Sequence, residues 1–295
     1  MRLKKELQIL RYSIGQYLEN RKNQRFLRLI EAYYQAKKDD NKSFIKNFDS
    51  TYNEFIDKAF LASMVSPNME KFKDIHKGKS CFIIGNGPSL NKMDLSQLEG
   101  YYKFGMNKIY YIFDRVDLKL DYYVAVNPLV IEQSKHEIEN VIKCPRFLSS
   151  GPGREFITQK EHIYQINTQI DWLFNYNITK GFNDGGTVTF VAMQLAFYMG
   201  FQNVFLIGVD HNFQQKGKPN EEQKMEKEDP NHFDPRYFQG QQWHLADLES
   251  SELSYNMARI AYEKAGRKIY DATIGGKLTI FPKIDFEDAL KLINR

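Results

Sequence analysis

From Ser80 onward, short apolar runs alternate with longer stretches of helical periodicity. A largely parallel sheet flanked by helices is the architecture that accommodates this alternation. The apolar runs predict strands over Cys81–Gly85, Tyr102–Met106, Tyr122–Val126, Arg146–Ser149, His162–Ile166, Val204–Val209 and Lys268–Asp271. Helices are predicted over Val130–Ile142, Thr187–Met199 and Asp247–Ala265. In the second helix Val188, Val191, Ala192, Leu195, Ala196 and Met199 share one apolar face, and Gly200 stands where a C-cap is expected. The expected fold is therefore α/β and Rossmann-like, a mostly parallel sheet with helices on both faces. Ligands of such sheets bind at the carboxyl ends of the strands, beside the point where the strand order reverses.

The first 75 residues read differently. Leu3, Leu7, Leu10, Ile14 and Tyr17 recur at spacings of four and three, the stripe of an amphipathic helix. Residues 1–40 carry ten Lys/Arg against five Asp/Glu. The expected organisation is a helical extension over 1–75 and a nucleotide-binding or nucleotide-sugar-binding domain over 76–295. Most charge runs are simply solvated, but the basic arm is also a candidate for peripheral contact with anionic lipid or for self-association. Residues 214–242 are polar, charged and interrupted by Pro219, Pro230 and Pro235. An irregular insertion of that length between a strand and a helix is expected to be a lid.

Several function classes are disfavoured. The net charge of +4 is too small to argue for nucleic acid. Two cysteines, Cys81 and Cys144, supply neither a disulfide framework nor a zinc site and are expected to be reduced core thiols. Apolar runs stay well short of the ~20 residues of a membrane helix, and the N-terminus lacks a signal-peptide core. A cytoplasmic protein is expected, peripheral at the inner membrane face if the arm binds lipid.

The strongest local signal is Cys81-Phe-Ile-Ile-Gly85-Asn86-Gly87-Pro88-Ser89-Leu90, an apolar strand entering a Gly-x-Gly turn with Pro-Ser opening a helix. Such a turn lets backbone approach a phosphate. A Walker loop would need a following Lys. A dinucleotide fingerprint would need glycine where Leu90 stands and an acidic residue where Asn107 ends the second strand. Other predicted strand ends carry Asn127-Pro128, Asp184-Gly185-Gly186-Thr187 before a helix, and Gly208-Val-Asp210-His211. Each could be a turn or cap by itself. Together around one sheet they point to a nucleotide-type pocket, because Asn, Ser and Thr bond sugar hydroxyls and base edges without carrying charge.

These segments, with GGTVTFVAMQLAFYMGF, VFLIGVDHNF and DATIGGKLTIFPKIDF, resemble the MptE-like family, named for archaeal 6-hydroxymethylpterin diphosphokinase. They are also similar to family-42 bacterial sialyltransferases and motility-associated flagellin glycosyltransferases, over roughly residues 80–285. The resemblance implies that Gly85, Asn86, Gly87 and Ser89 hold the nucleotide phosphate or ribose, with Gly186 and Thr187 nearby. It implies that Asn107 and Asn127 face the activated sugar or phosphate, and that Asp210 sits beside the pocket. It also implies a histidine general base before the penultimate helix; His244 matches best and His232 lies close by. The sialyltransferases place a tyrosine after their Gly-Ile-Asp, a position without a counterpart here unless His211 or Tyr237 serves.

The implied activity is transfer from a nucleotide-activated, CMP-linked acid sugar to a glycan or protein acceptor, with no metal or other cofactor required. The alternative is an ATP-dependent diphosphokinase with Mg²⁺ on carboxylates such as Asp210, Asp184 or Asp121. A non-catalytic nucleotide-binding protein is the third reading.

Overall fold

The computed structural model describes residues 69–158, 161–166, 168–169 and 172–292, all within one compact unit, Ala62–Arg295. The helical extension expected over 1–75 lies outside the described residues as far as residue 68. Its last part includes a 3₁₀ turn, Glu70–Phe72, that packs Phe72 against Phe147 and Tyr164.

All seven predicted strands form, each within two residues of its expected ends. They are β1 (Ser80–Ile84), β2 (Tyr102–Met106), β3 (Tyr122–Ala125), β4 (Arg146–Ser149) and β5 (Ile163–Ile166). Two-residue strands β6 (Thr168–Gln169) and β7 (Phe182–Asn183) pair with each other outside the main sheet. β8 (Asn203–Ile207), the hairpin strands β9 (Glu222–Lys224) and β10 (Gln242–His244), and β11 (Lys268–Asp271) complete the set. The main sheet has the order β11-β8-β1-β2-β3-β4-β5, and each neighbouring pair in it is parallel. The chain steps outward from β1 to β5 on one side, then crosses back to β8 and β11 on the other. The carboxyl ends of β1 and β8 therefore flank the switch point.

Burial on both faces explains why the inner strands β1, β3 and β8 read as nearly continuous apolar runs. β1, Ser-Cys-Phe-Ile-Ile, is buried at all five positions. Phe82 and Ile84 point to one face and join a cluster with Ile131, Ile138 and Ala289. Those three belong to α1 (Pro128–Gln133), α2 (Lys135–Asn140) and α6 (Phe286–Leu292). The opposite face receives α4 (Val188–Tyr198), while α5 (Leu248–Lys264) packs against α4 and β11. A short α3 (Ser150–Phe156) follows β4.

Three expectations change. The helix expected over Val130–Ile142 is two helices, α1 and α2, broken at Ser134, whose buried hydroxyl lies 3.0 Å from the Tyr110 hydroxyl. α4, expected to be amphipathic, is buried on every side from Thr189 to Tyr198, as a helix inside a three-layer fold requires. Its one long polar residue, Gln194, accepts from the Asn175 and Asn183 N–H groups and donates to the Asn183 carbonyl. The polar stretch after β8 is largely irregular, as expected, but it is pinned: the short strands β9 and β10 pair near its ends, and Phe233, Tyr237 and Phe238 are buried in the core cluster on the α1 side. Sparse aromatic side chains carry the packing that the polar composition conceals.

Cys81 is buried, Cys144 is half-buried, and both are free. Burial pushes both thiols up, Cys144 to about 12, so neither is a thiolate near neutrality. Among the described residues no helix is long and apolar enough to cross a membrane.

Candidate functional site

A cavity of about 370 Å³ opens at the carboxyl ends of the strands, beside the switch point. Gly85, Asn86 and Gly87 line it after β1, Asn107 after β2, Asn127 after β3, Gly186 and Thr187 at the head of α4, and Asp210 after β8. The cap over residues 212–247 adds His232 and His244. Of the residues singled out in the sequence, Ser89 stands behind this lining.

The Gly-x-Gly turn exists because β1 and β8 end in contact. Gly85 N–H donates to the Ile207 carbonyl at 2.7 Å, and Gly87 N–H donates to the Gly208 carbonyl at 2.8 Å. A Cβ on Gly85 would stand 2.3 Å from the Gly208 carbonyl oxygen, and one on Gly87 would stand 1.9 Å from Asp210 Oδ2. These glycines are required by backbone-on-backbone packing before any ligand is considered.

Asp210 crosses from the end of β8 to cap the 3₁₀ helix Pro88–Lys92. Ser89 N–H donates to Oδ1 at 3.1 Å and the Ser89 hydroxyl to Oδ2 at 2.6 Å. Burial raises the Asp210 carboxyl above its ordinary value, and the Ser89 bonds and Lys92 partly offset this. Between its ordinary value and its raised one, the folded chain holds a proton that the unfolded chain has released. Stability from this group is therefore full below the ordinary value and lost as pH rises through the raised one. Asp210→Asn removes that slope. In urea unfolding, the stability of the natural chain relative to the variant should fall as pH rises above the ordinary carboxylate range of about 4; a rise would contradict the assignment.

Asn86 donates its amide to the Met106 carbonyl at 3.1 Å, which leaves Oδ1 buried and unpaired. Asn107, held at a φ of 50°, also has a buried unpaired Oδ1. Both are acceptors and repel a phosphate oxygen, so they suit a ligand that presents hydroxyl or amino hydrogens.

The two cap histidines are set up differently. The His232 ring stacks on Tyr237 with centroids 3.8 Å apart, and its Nδ1 lies 2.7 Å from Asp229 Oδ2. Asp229, whose side chain is 0% exposed, also accepts from Asn231 N–H at 2.8 Å. The ring proton therefore sits on Nδ1, and Nε2 is the nitrogen with a lone pair. That is the geometry of a histidine oriented as a base. At His244 the relation is reversed. Asn127 turns its oxygen to the Val130 N–H and its amide nitrogen to His244 Nδ1 at 3.0 Å. His244 Nδ1 must accept, so Nε2 carries the proton and lies 4.0 Å from Glu222 Oε2. A third histidine, His211, lines the cavity with Nε2 3.1 Å from Glu252 Oε1.

Asp229 was not singled out in the sequence. Its signal is the string Asp229-Pro-Asn-His-Phe-Asp-Pro235, dense in turn formers, which closes with Asp229 N–H donating to the Pro235 carbonyl at 2.8 Å. Asp121 is excluded from the site. It precedes β3 at the amino end of the sheet, where it accepts from Lys103 N–H at 2.8 Å. The cavity carboxylates serve as caps: Asp210 for Ser89, Asp184 for Gly186 N–H, and Asp247 for Ser250. Among the described residues no three His, Cys, Asp or Glu side chains come together to hold a metal ion. The described residues of the lining include no lysine or arginine.

No curated protein matches the chain. The family model described as 6-hydroxymethylpterin diphosphokinase MptE-like matches residues 57–216. That stretch carries the glycine turn, Asn107, Asn127, Thr187 and Asp210, and stops short of the cap that supplies His232 and His244. It spans more than half of the 295 residues, and the chain accordingly belongs to the MptE-like family.

Proposed function

We propose that the chain is a glycosyltransferase that takes an acid sugar activated as a nucleoside monophosphate, of the CMP-linked type, and passes it to a hydroxyl of a glycan or protein acceptor. One observation carries this reading: a carboxylate-oriented histidine faces a cavity whose described lining has three carboxylates and no lysine or arginine. One phosphate and one sugar carboxylate carry about two charges without any metal, whereas ATP carries about four and comes down to two only as its Mg²⁺ complex.

In this mechanism His232 Nε2 takes the proton of the acceptor hydroxyl as that oxygen bonds the anomeric carbon from the face opposite the leaving group. The bond from the anomeric carbon to the phosphate oxygen breaks, its electron pair stays on the phosphate, and CMP leaves with inversion at carbon. Asp229 stabilises the imidazolium that forms. The N–H groups at the head of α4 and the Nε2–H of His244 meet the phosphate charge. Asn86 and Asn107 accept from hydroxyl or amino groups of the nucleoside or sugar, and the cap excludes water from a donor prone to hydrolysis.

The family description favours a second reading, diphosphate transfer from ATP. Mass spectrometry of the nucleotide released from a mixture of CMP-, UDP- and GDP-sugars and ATP distinguishes them. CMP release in EDTA is expected. AMP release that requires Mg²⁺ would replace the glycosyltransferase with the diphosphokinase.

A further inference from the structure

The peptide that follows His232 is held from both ends by the segment that follows β1. Phe233 N–H donates to the Asn86 carbonyl at 2.9 Å. The Phe233 carbonyl accepts from Asn91 Nδ2 at 2.8 Å, and Arg115 Nη1 donates to Asn91 Oδ1 at 2.9 Å. The Arg115 guanidinium also lies 5.3 Å from the centre of the Phe233 ring and 3.4 Å from the Asp234 carboxylate. Asn91 does not line the cavity, and its side-chain amide has a partner at each end. Arg115 lies outside the lining as well.

We infer that Asn91, braced by Arg115, is a positioning residue for His232: it fixes the histidine-bearing peptide of the cap against the same turn whose Gly85–Gly87 backbone lines the cavity. The inference rests on the proposed role of His232 as base. The cap is also fastened here by Asn231 to Gln214 and by Tyr237 to Lys108, but those bonds leave the Phe233 carbonyl untouched. Without Asn91 the Phe233 carbonyl keeps only the longer 3.4 Å contact to Arg115, and the fastening of the His232-bearing peptide to the segment after β1 falls to the single Phe233 N–H bond to Asn86, while Asp229 and Tyr237 still hold the ring. Displacement of a reacting group by about 1 Å costs up to about 10²-fold in rate.

Asn91→Asp tests this in the full chain. The substitution keeps the shape and the Arg115 partner but replaces the amide donor with a carboxylate oxygen facing the Phe233 carbonyl. It should lower kcat for sugar transfer about 10- to 100-fold while KM for the sugar donor stays within about twofold, as expected when only the positioning of a reacting group is lost. Asn91→Gln, which keeps an amide donor, should recover part of the rate. Arg115→Met, which keeps apolar cover over Phe233, serves as the second variant if Asn91→Asp does not fold.

A second readout does not depend on turnover. In nitrogen-15 NMR spectra of the natural chain, the Nδ1 proton of His232 should give a downfield, slowly exchanging signal from its bond to Asp229. That signal should shift or vanish in Asn91→Asp with the melting temperature little changed. An unchanged signal together with an unchanged kcat would overturn the positioning role. If the natural chain transfers no sugar yet the signal moves in the variant, the proposed reaction fails and the positioning role stands.

Discussion

Replacing His232 with alanine is expected to lower kcat for sugar transfer by about 10²- to 10⁴-fold, the range for loss of a positioned base, with binding of the sugar donor intact. The histidine lines the cavity and bonds a carboxylate with 0% side-chain exposure, so its removal strips the base from the acceptor side and leaves the glycine turn and the head of α4 untouched. Asp229→Asn sharpens the test. Asparagine still accepts from Asn231 N–H, but its amide nitrogen then faces His232 Nδ1 and forces that nitrogen to accept. The ring proton moves to Nε2, and the base is lost although the ring stays in place. Both variants should release CMP from a CMP-sugar at a small fraction of the natural rate in single-turnover assays. Activity within about twofold of the natural chain in either would transfer the base role elsewhere.

The second large effect belongs to Gly85. A methyl there would lie 2.3 Å from the Gly208 carbonyl oxygen and 2.7 Å from its carbon, both backbone atoms of the adjoining strand. No side-chain rotation relieves that contact. β1 and β8 would have to part where Ile84 pairs Ile207, at the carboxyl ends of both strands beside the cavity. Gly85→Ala should therefore cost about 3 kcal/mol or more, at or beyond the upper range for overpacking, and should abolish nucleotide binding in whatever folds. Gly78→Ala is the control. Gly78 has a φ of 77° with open space around it, so the same change should cost only about 1 kcal/mol. Equal urea midpoints for the two variants would refute the packing argument.

The strands were legible because a parallel sheet covered on both faces selects short, mainly apolar runs, and β2, β4 and β11 begin and end at the predicted residues although each carries a charged side chain. Helix detail was less legible. The break at Ser134 answers to Tyr110, a partner 24 residues away, and no local signal records that contact. The stripe read on α4 marks only part of a surface that tertiary contacts bury entirely. At the site, the strand-end Asn, Gly and Thr residues were visible because turns and caps select those types locally. Ser89 was visible too, but it serves Asp210 behind the cavity rather than lining it. The distinction between His232 and His244 was not visible. It depends on which neighbour meets Nδ1, a buried carboxylate three residues away in one case and an amide from the end of β3 in the other. The second contact joins the cap to the end of β3 across 117 residues of sequence.

The cap itself illustrates the same limit. Its prolines and charges read as a mobile segment, yet Phe233 and Tyr237 are among the most deeply buried residues of the fold. Tyr237 stacks on His232, its hydroxyl accepts from Lys108 N–H at 3.2 Å, and its carbonyl accepts from Lys108 Nζ at 2.9 Å. Burial lowers Lys108 to about 8, so this anchor remains largely protonated at neutral pH. The family match ends before His232, Phe233 and Tyr237, and the chemistry proposed here depends on them.

The most direct test of the account is thermal unfolding with CMP or a CMP-sugar in EDTA, set beside ATP with and without Mg²⁺. A ligand at 100 times its Kd adds about 2.7 kcal/mol of stability, a shift of several degrees. The account predicts stabilisation by the cytidine nucleotides without metal and little response to ATP. Stabilisation by ATP that requires Mg²⁺, with no response to cytidine nucleotides, would contradict it.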